Sequence, residues 1–267
     1  MLPTFFVIGA AKAGTTSLHK YLSTHPQIAM TSVKEPMLYA GPNWRAQIQG
    51  YAALLPYEAP HRGEASTAYS AFPWEPEIVD RVHATVPDAR MVYLVRDPIP
   101  RTLAHYAQNV WDRKQVRPFD ELMRALDDPM NMPVWCSRYA TQLERWTDKF
   151  GADRVLVVDT HALNEDRTAS VRSVLAFLGA DTPVDPSAWE QKHNTGREHR
   201  VVRHSLRRLG PVEAMARRLP FLEPLLTRPV RTPELTATQR RGLEKVFAPE
   251  AQRLRELTGQ PFAGWSV

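Results

Sequence analysis

The stretch Phe5-Phe6-Val7-Ile8-Gly9-Ala10-Ala11-Lys12-Ala13-Gly14-Thr15-Thr16-Ser17-Leu18 constrains this chain more than any other. Four apolar residues run without alternation into a glycine turn, and the turn leads directly into helical spacing, with Leu18, Tyr21 and Leu22 on one face. A strand that is apolar on both sides belongs in a sheet covered by helices on both faces. Strand, turn and helix in immediate succession gather unpaired N–H groups and the positive end of a helix dipole at one point, which is where an anion, commonly a phosphate, binds.

The rest of the chain repeats the alternation. Met91-Val92-Tyr93-Leu94-Val95 and Arg154-Val155-Leu156-Val157-Val158 read as two more buried strands, and helical patterns fall at about 75–85, 98–109, 119–126, 136–150 and 168–178. The class is α/β with a central, mainly parallel sheet flanked by helices in three layers, and ligands are expected beyond the carboxyl ends of the strands. From about Pro183 the strand signals fade. The tail reads as helical and broken by prolines, and it ends in a helix over about 236–258 whose apolar positions are Leu243, Val246, Phe247, Ala251, Leu254 and Leu257. That tail is expected to pack on the sheet domain.

At 267 residues and 43% hydrophobic the chain can bury one sizeable core. The single cysteine, Cys136, forms no internal disulfide and no multi-cysteine zinc site, and no metal is expected. No apolar run reaches the roughly 18 to 20 residues of a membrane span, and the N-terminus enters its first strand without a basic leader, so a cytoplasmic protein is expected. The net charge of +5 is unevenly spread. From Lys192 to Lys245 there are 13 Lys or Arg against 5 Asp or Glu, a surplus of +8 that leaves −3 for the remainder. Such a stretch suits an anionic ligand or partner, or a solvated helical face.

The turn has the Gly9 to Gly14 spacing of the nucleoside-triphosphate motif G-x-x-x-x-G-K-[ST], but Thr15 stands where that motif has its lysine. The lysine sits inside the loop, at Lys12. A triphosphate-hydrolysing enzyme built this way lacks the side chain that reaches the β- and γ-phosphates.

This segment resembles the 5′-phosphosulfate loop of sulfotransferases that use 3′-phosphoadenosine-5′-phosphosulfate (PAPS), and the fold implied is P-loop-like. Lys34-Glu35-Pro36-Met37 is similar to the Lys-Glu-Pro segment of the bacterial, carbohydrate and heparan-type branch. Gly63-Glu64-Ala65-Ser66-Thr67-Ala68-Tyr69 resembles the Glu-Lys-Thr-Pro-x-Tyr strand that follows it there. Tyr93-Leu94-Val95-Arg96-Asp97-Pro98, with Arg101, His105 and Tyr106, looks like the 3′-phosphate strand and helix. Arg138-Tyr139-Ala140, Gln142-Leu143, Trp146 and Phe177-Leu178-Gly179 continue the likeness, which covers about residues 4–195. One domain over 1–267 is therefore expected, with its core at about 4–195 and a helical, basic extension at about 196–267.

The resemblance implies transfer of a sulfuryl group from PAPS to a hydroxyl of a small molecule, glycolipid or glycan, in a bacterial cytoplasm and without nucleic acid. Lys12, Ala13, Gly14, Thr15, Thr16 and Ser17 would hold the 5′-phosphosulfate, with Lys12 stabilising the leaving group. Glu35 would be the general base, Arg96 would hold the 3′-phosphate, and Lys192, Asn194 and Arg197 form the nearest candidate for the C-terminal phosphate loop. Glu64 and His105 remain as other acid–base candidates, and Trp44, Trp74 and Trp111 as acceptor-pocket candidates. Other readings of the same residues stay open: Lys34-Glu35 as an exposed ion pair, Glu64 as a structural carboxylate, and Arg96 as a strand-end partner of Asp97. Two departures stand out. Ala104 occupies the position, eight residues after Arg96, where the family offers a serine hydroxyl, and Ala65 replaces the lysine after Glu64. The competing functions are a P-loop-like nucleotide kinase or phosphotransferase and a non-catalytic polyanion or nucleic-acid binder using the basic tail.

Overall fold

The computed structural model describes residues 1–112, 117–181, 183–190, 200–202 and 227–267. In chain order the elements are β1 (Phe5–Gly9), α1 (Thr15–Leu22), β2 (Ile28–Met30), α2 (Trp44–Gln49), β3 (His61–Ala65), α3 (Ile78–Thr85), β4 (Arg90–Val95), α4 (Pro98–Trp111), α5 (Phe119–Arg124) and α6 (Met132–Trp135). They continue with α7 (Tyr139–Phe150), β5 (Val155–Asp159), α8 (Thr160–Glu165), α9 (Arg167–Leu178), β6 (Arg200–Val202), β7 (Thr227–Pro229) and α10 (Ala237–Thr258).

Five strands form one parallel sheet in the order β2-β3-β1-β4-β5. The apolar runs explain its centre: every residue of β1 is buried, and so are Met91 to Val95 in β4. Helices α1 and α9 pack together, as do α3, α7 and α10, which gives the helix–sheet–helix layering expected of an α/β chain with apolar strands. Because β1 is central, the chain leaves it toward β2 and β3 on one side and later continues to β4 and β5 on the other. The carboxyl ends of β1 and β4 therefore open side by side at the topological switch point, the ligand crevice of such sheets.

Strand β3 has a different origin. His61-Arg62-Gly63-Glu64-Ala65 carries no apolar run, and it pairs with β1 in the register Phe5 to Gly63, Phe6 to Glu64 and Val7 to Ala65. A Cβ on Gly63 would lie 2.1 Å from the Phe5 ring, so only glycine lets the Phe5 side chain lie flat across its neighbour.

Helix α3 starts at Ile78, later than the predicted 75, because Pro76 disfavours helical backbone at Glu75. Helix α7 likewise starts at Tyr139 rather than at about 136, where Cys136 and Ser137 close α6. The tail is not free of strands: β6 and β7 pair antiparallel, with Val201 opposite Arg228. Two three-residue strands are too short to show an alternating pattern in sequence. In α10, Leu243, Phe247, Ala251 and Leu254 are buried as the spacing predicts, whereas Leu257 is 46% exposed because it falls in the last turn. Glu250 of α10 is buried, and its carboxylate accepts from the Thr141 amide (3.0 Å) and hydroxyl (2.7 Å), which satisfies the N-terminus of α7. No helix among the described residues is long and apolar enough to cross a membrane, and these residues contain no cluster that could hold a metal ion.

Candidate active site

The turn after β1 is tied to β4 by the Ala10 amide, which donates to the Leu94 carbonyl at 2.7 Å. Two residues of the turn have left-handed backbone, Lys12 (φ 69°) and Gly14 (φ 92°), and Gly14 adopts this conformation without the Cβ clash other residues suffer. Gly14 caps α1, no side chain caps the first turn, and that turn contains no acidic residue. The Gly14 carbonyl takes the amides of Ser17 and Leu18, which leaves the Thr15 and Thr16 amides without a backbone partner among the described residues. An uncapped, acid-free helix start is what an anion requires. The Thr160 hydroxyl lies between the carbonyls of Ala13 (2.7 Å) and Val95 (2.8 Å), so α8 braces the turn against the end of β4.

Lys12 reaches across to α4, where its ammonium donates to Gln108 Oε1 at 3.1 Å. Its side chain is solvent-accessible, yet the loop and α4 crowd it. That desolvation, together with the Arg96 charge, lowers its pKa below the ordinary value, and Asp112 partly offsets the shift. Arg96 follows β4 directly and its guanidinium lies 3.5 Å from the Lys12 carbonyl. It forms no ion pair with Asp97: Asp97 caps α4 through the Ile99 amide and accepts from the Ser266 amide and hydroxyl. Two cations thus stand at the mouth of the loop with no carboxylate bonded to either among the described residues. Ala104 lies on α4 and offers no hydroxyl, and its neighbour Thr102 is buried with its hydroxyl at 2.7 Å from Ser137 Oγ, so it does not substitute.

Glu35 is placed by β3. Its amide donates to the Ala65 carbonyl (3.0 Å), and its Oε2 accepts from the Thr67 amide (2.8 Å) and hydroxyl (3.0 Å), while Oε1 pairs with Lys34. Glu35 (φ 60°) and Met37 (φ 51°) both have left-handed backbone, which is uncommon for residues with a Cβ and is held here by bonds to the end of β3. The side chain of Glu35 remains 27% exposed and can meet a ligand. Glu64 cannot: it is fully buried, and Ser66 Oγ donates to its Oε1 at 3.0 Å. Burial pushes its carboxyl up to about 7, the Tyr69 and Ser66 hydroxyls pull it back, and the Glu35 charge raises it further. His105 is buried on α4 with Nδ1 at 2.8 Å from the Arg101 guanidinium. His19 meets the Thr31 carbonyl at 3.1 Å, and burial lowers its pKa. Of the tryptophan candidates, Trp44 stacks on Tyr39 against the core, while Trp111 is 38% exposed at the end of α4, one turn beyond Gln108.

The sequence-predicted Lys12 to Ser17 and Arg96 therefore meet at the switch-point crevice. Glu35 rises from the end of β3, which lies next to β1. Lys192, Asn194 and Arg197 lie outside the described residues. Gln108, Thr67, Ser66 and Thr160, which hold these groups, were not singled out for that role in the sequence, because each acts through a partner distant along the chain.

A parallel α/β sheet whose switch point carries a glycine turn and an uncapped helix start is the arrangement in which nucleotide and phosphate sites are commonly built. Residues 34–184 match the Sulfotransferase family profile, more than half of the chain, and the chain belongs to that family. It is 26% identical over 194 residues to human bifunctional heparan sulfate N-deacetylase/N-sulfotransferase 2, a match covering 67% of this chain and 22% of the relative. It is 27% identical over 183 residues to mouse heparan sulfate glucosamine 3-O-sulfotransferase 3B1, covering 67% of this chain and 46% of the relative. The chain thus spans less than half the length of these curated relatives. Among solved structures, a sulfotransferase from Alicyclobacillus acidocaldarius superposes with a TM-score of 0.69 at 24% identity, covering 100% of both chains. A mouse sulfotransferase complexed with PAP superposes with a TM-score of 0.51 at 17% identity over 94% of this chain and 84% of that one. These two establish the likeness of fold.

Proposed function

We propose that the protein transfers a sulfuryl group from PAPS to a hydroxyl of a small molecule, glycolipid or glycan. The observation that supports this reading is an uncapped helix start flanked by two cations after β1, with a carboxylate held by Thr67 at the end of the neighbouring strand β3. The first arrangement suits a doubly anionic nucleotide and the second suits proton removal.

The Thr15 and Thr16 amides and the loop hydroxyls would hold the 5′-phosphosulfate, and Arg96 the 3′-phosphate. Sulfuryl transfer, like loose phosphoryl transfer, asks mainly for in-line positioning and for neutralising charge on the leaving oxygen. Lys12 supplies that charge. An acceptor hydroxyl is a weak nucleophile at neutral pH, and Glu35 Oε1 or Oε2 takes its proton as the bond to sulfur forms. Thr67 keeps the carboxylate aimed, and the Lys34 ammonium pairs with its other oxygen. The relatives carry heparan sulfate in their names, which supports a glycan acceptor, and the 3-O-sulfotransferase among them supports a sugar hydroxyl as one acceptor class. A bacterial cytoplasm is part of the same proposal.

The test is transfer of radiolabelled sulfate from PAPS to a panel comprising 4-nitrophenol, an alkyl glucoside and a desulfated heparan oligosaccharide. Label in at least one acceptor, lost in Glu35→Gln, supports the reading. Label in none, together with phosphoryl transfer from ATP and magnesium, contradicts it.

A further inference from the structure

The loop that carries Glu35 is bonded at every turn to one short segment of chain. The Glu35 amide goes to the Ala65 carbonyl, the Met37 amide to Ser66 Oγ (3.0 Å), the Glu35 carboxylate to Thr67 and the Tyr39 amide to the Tyr69 hydroxyl (3.2 Å). The Glu35 tethers end on the Ala65 carbonyl and on Thr67, whereas the Met37 and Tyr39 tethers end on the Ser66 and Tyr69 hydroxyls, both of which also bear on the Glu64 carboxyl. The Ser66 tether depends on how its hydroxyl is turned. Ser66 has a single hydroxyl proton, and it donates that proton to Glu64 Oε1 at 3.0 Å, which leaves a lone pair to receive the Met37 amide. Glu64, fully buried, thereby holds the Ser66 proton away from the Met37 amide and keeps a lone pair aimed at it.

Two features say that this carboxyl is more than filler. Its Oε2 has no well-formed hydrogen bond among the described residues, and the buried Tyr39 and Tyr51 hydroxyls beside it have none either. Leaving such groups together in a core is costly unless the cluster does something that an apolar core does not. The tether it orients holds Met37, a left-handed, non-glycine residue two positions from the equally left-handed Glu35, in a conformation that is unfavourable without such support.

We propose that Glu64 is a positioning residue: through Ser66 it fixes the Met37 amide, and with it the left-handed loop that presents Glu35 to the acceptor. This rests on the reading of Glu35 as the base. Glu64 touches no substrate and moves no proton in the reaction.

The experiment compares Glu64→Leu, Ser66→Ala, the double variant, Glu64→Gln and Glu35→Gln in the intact chain. The readouts are kcat and KM with the most active acceptor of the panel above, affinity for PAP, and hydrogen exchange at the Met37 amide. Glu64→Leu and Ser66→Ala are each expected to lower kcat by about 10- to 100-fold, as a displaced catalytic group does, and to speed Met37 exchange while PAP affinity is kept. The double variant should be no worse than either single one. Glu64→Gln, whose amide oxygen still accepts from Ser66, should restore most of the rate and the protection. Wild-type kcat and Met37 exchange in a folded Glu64→Leu protein, with Glu35→Gln inactive, overturns the positioning role alone. A fully active Glu35→Gln overturns the base reading and the catalytic role of the tether with it. The PAP measurement separates both outcomes from global unfolding, since an unfolded variant binds no nucleotide.

Discussion

The duties proposed for Lys12 and Glu35 are separable, and substitution should separate them. Lys12→Ala is expected to lower turnover by about 100-fold or more, the effect of losing one preorganised donor to developing charge. Glu35→Gln should lose roughly 10² to 10⁴ in rate at unchanged PAP affinity, because the amide keeps the shape and the Thr67 contacts but accepts no proton. Calorimetric PAP binding beside steady-state kinetics checks both. Glu64 has a signature of its own in stability. The unfolded chain ionises it near the ordinary 4.5, whereas the folded protein keeps its proton up to about 7. Between those pH values the unfolded state has released a proton that the folded state still holds, so stability falls as pH rises and then levels off above 7. Glu64→Gln removes this titration. Its unfolding free energy relative to wild type should therefore rise, by on the order of 3 kcal/mol, between urea titrations at pH 4 and pH 8. Lys12 and Glu35 were legible because each sits in a short, ordered motif. Gln108 and Thr67, which hold them, were not: their roles arise from contacts between residues 96 and 32 positions apart, which no local pattern encodes.

At the scale of elements, strands β1 and β4 announced themselves because a strand buried on both faces has to be apolar almost throughout, and the edge strand β5 because Val155 to Val158 form a short apolar run. Strand β2 has three residues, too few for any pattern, and β3 carries His61, Arg62 and Glu64 where an apolar run would be looked for. It is a strand because β1 and β2 pair with it on both sides and because Gly63 admits the Phe5 ring, facts that appear only in three dimensions. The charge on α10 is similar. Glu250 lies on a helix read for its apolar face, yet it is buried and caps α7. Glu250→Ala leaves the Thr141 amide and hydroxyl without their charged partner. It is expected to destabilise the fold by about 1–3 kcal/mol in urea denaturation while leaving PAP affinity unchanged, since α7 holds none of the phosphate-binding groups proposed here.

For the whole molecule, the described part of the candidate anion site is built from residues of the first 160, at the switch point of one parallel sheet, and the candidates Lys192, Asn194 and Arg197 in the basic stretch lie outside the described residues. The central claim is that this site takes a nucleotide phosphorylated at both the 5′ and 3′ positions, with Arg96 carrying the second phosphate unaided by Ala104. A bond from a guanidinium to phosphate contributes about 1.5–3 kcal/mol, or at least tenfold in affinity. The most direct measurement is isothermal titration of wild type and Arg96→Ala with PAP, adenosine 5′-phosphate and ATP with magnesium. Wild type should bind PAP at least tenfold more tightly than either of the others, and Arg96→Ala should lose that preference. Equal affinity for PAP and adenosine 5′-phosphate in wild type, unchanged by Arg96→Ala, would contradict the donor assignment.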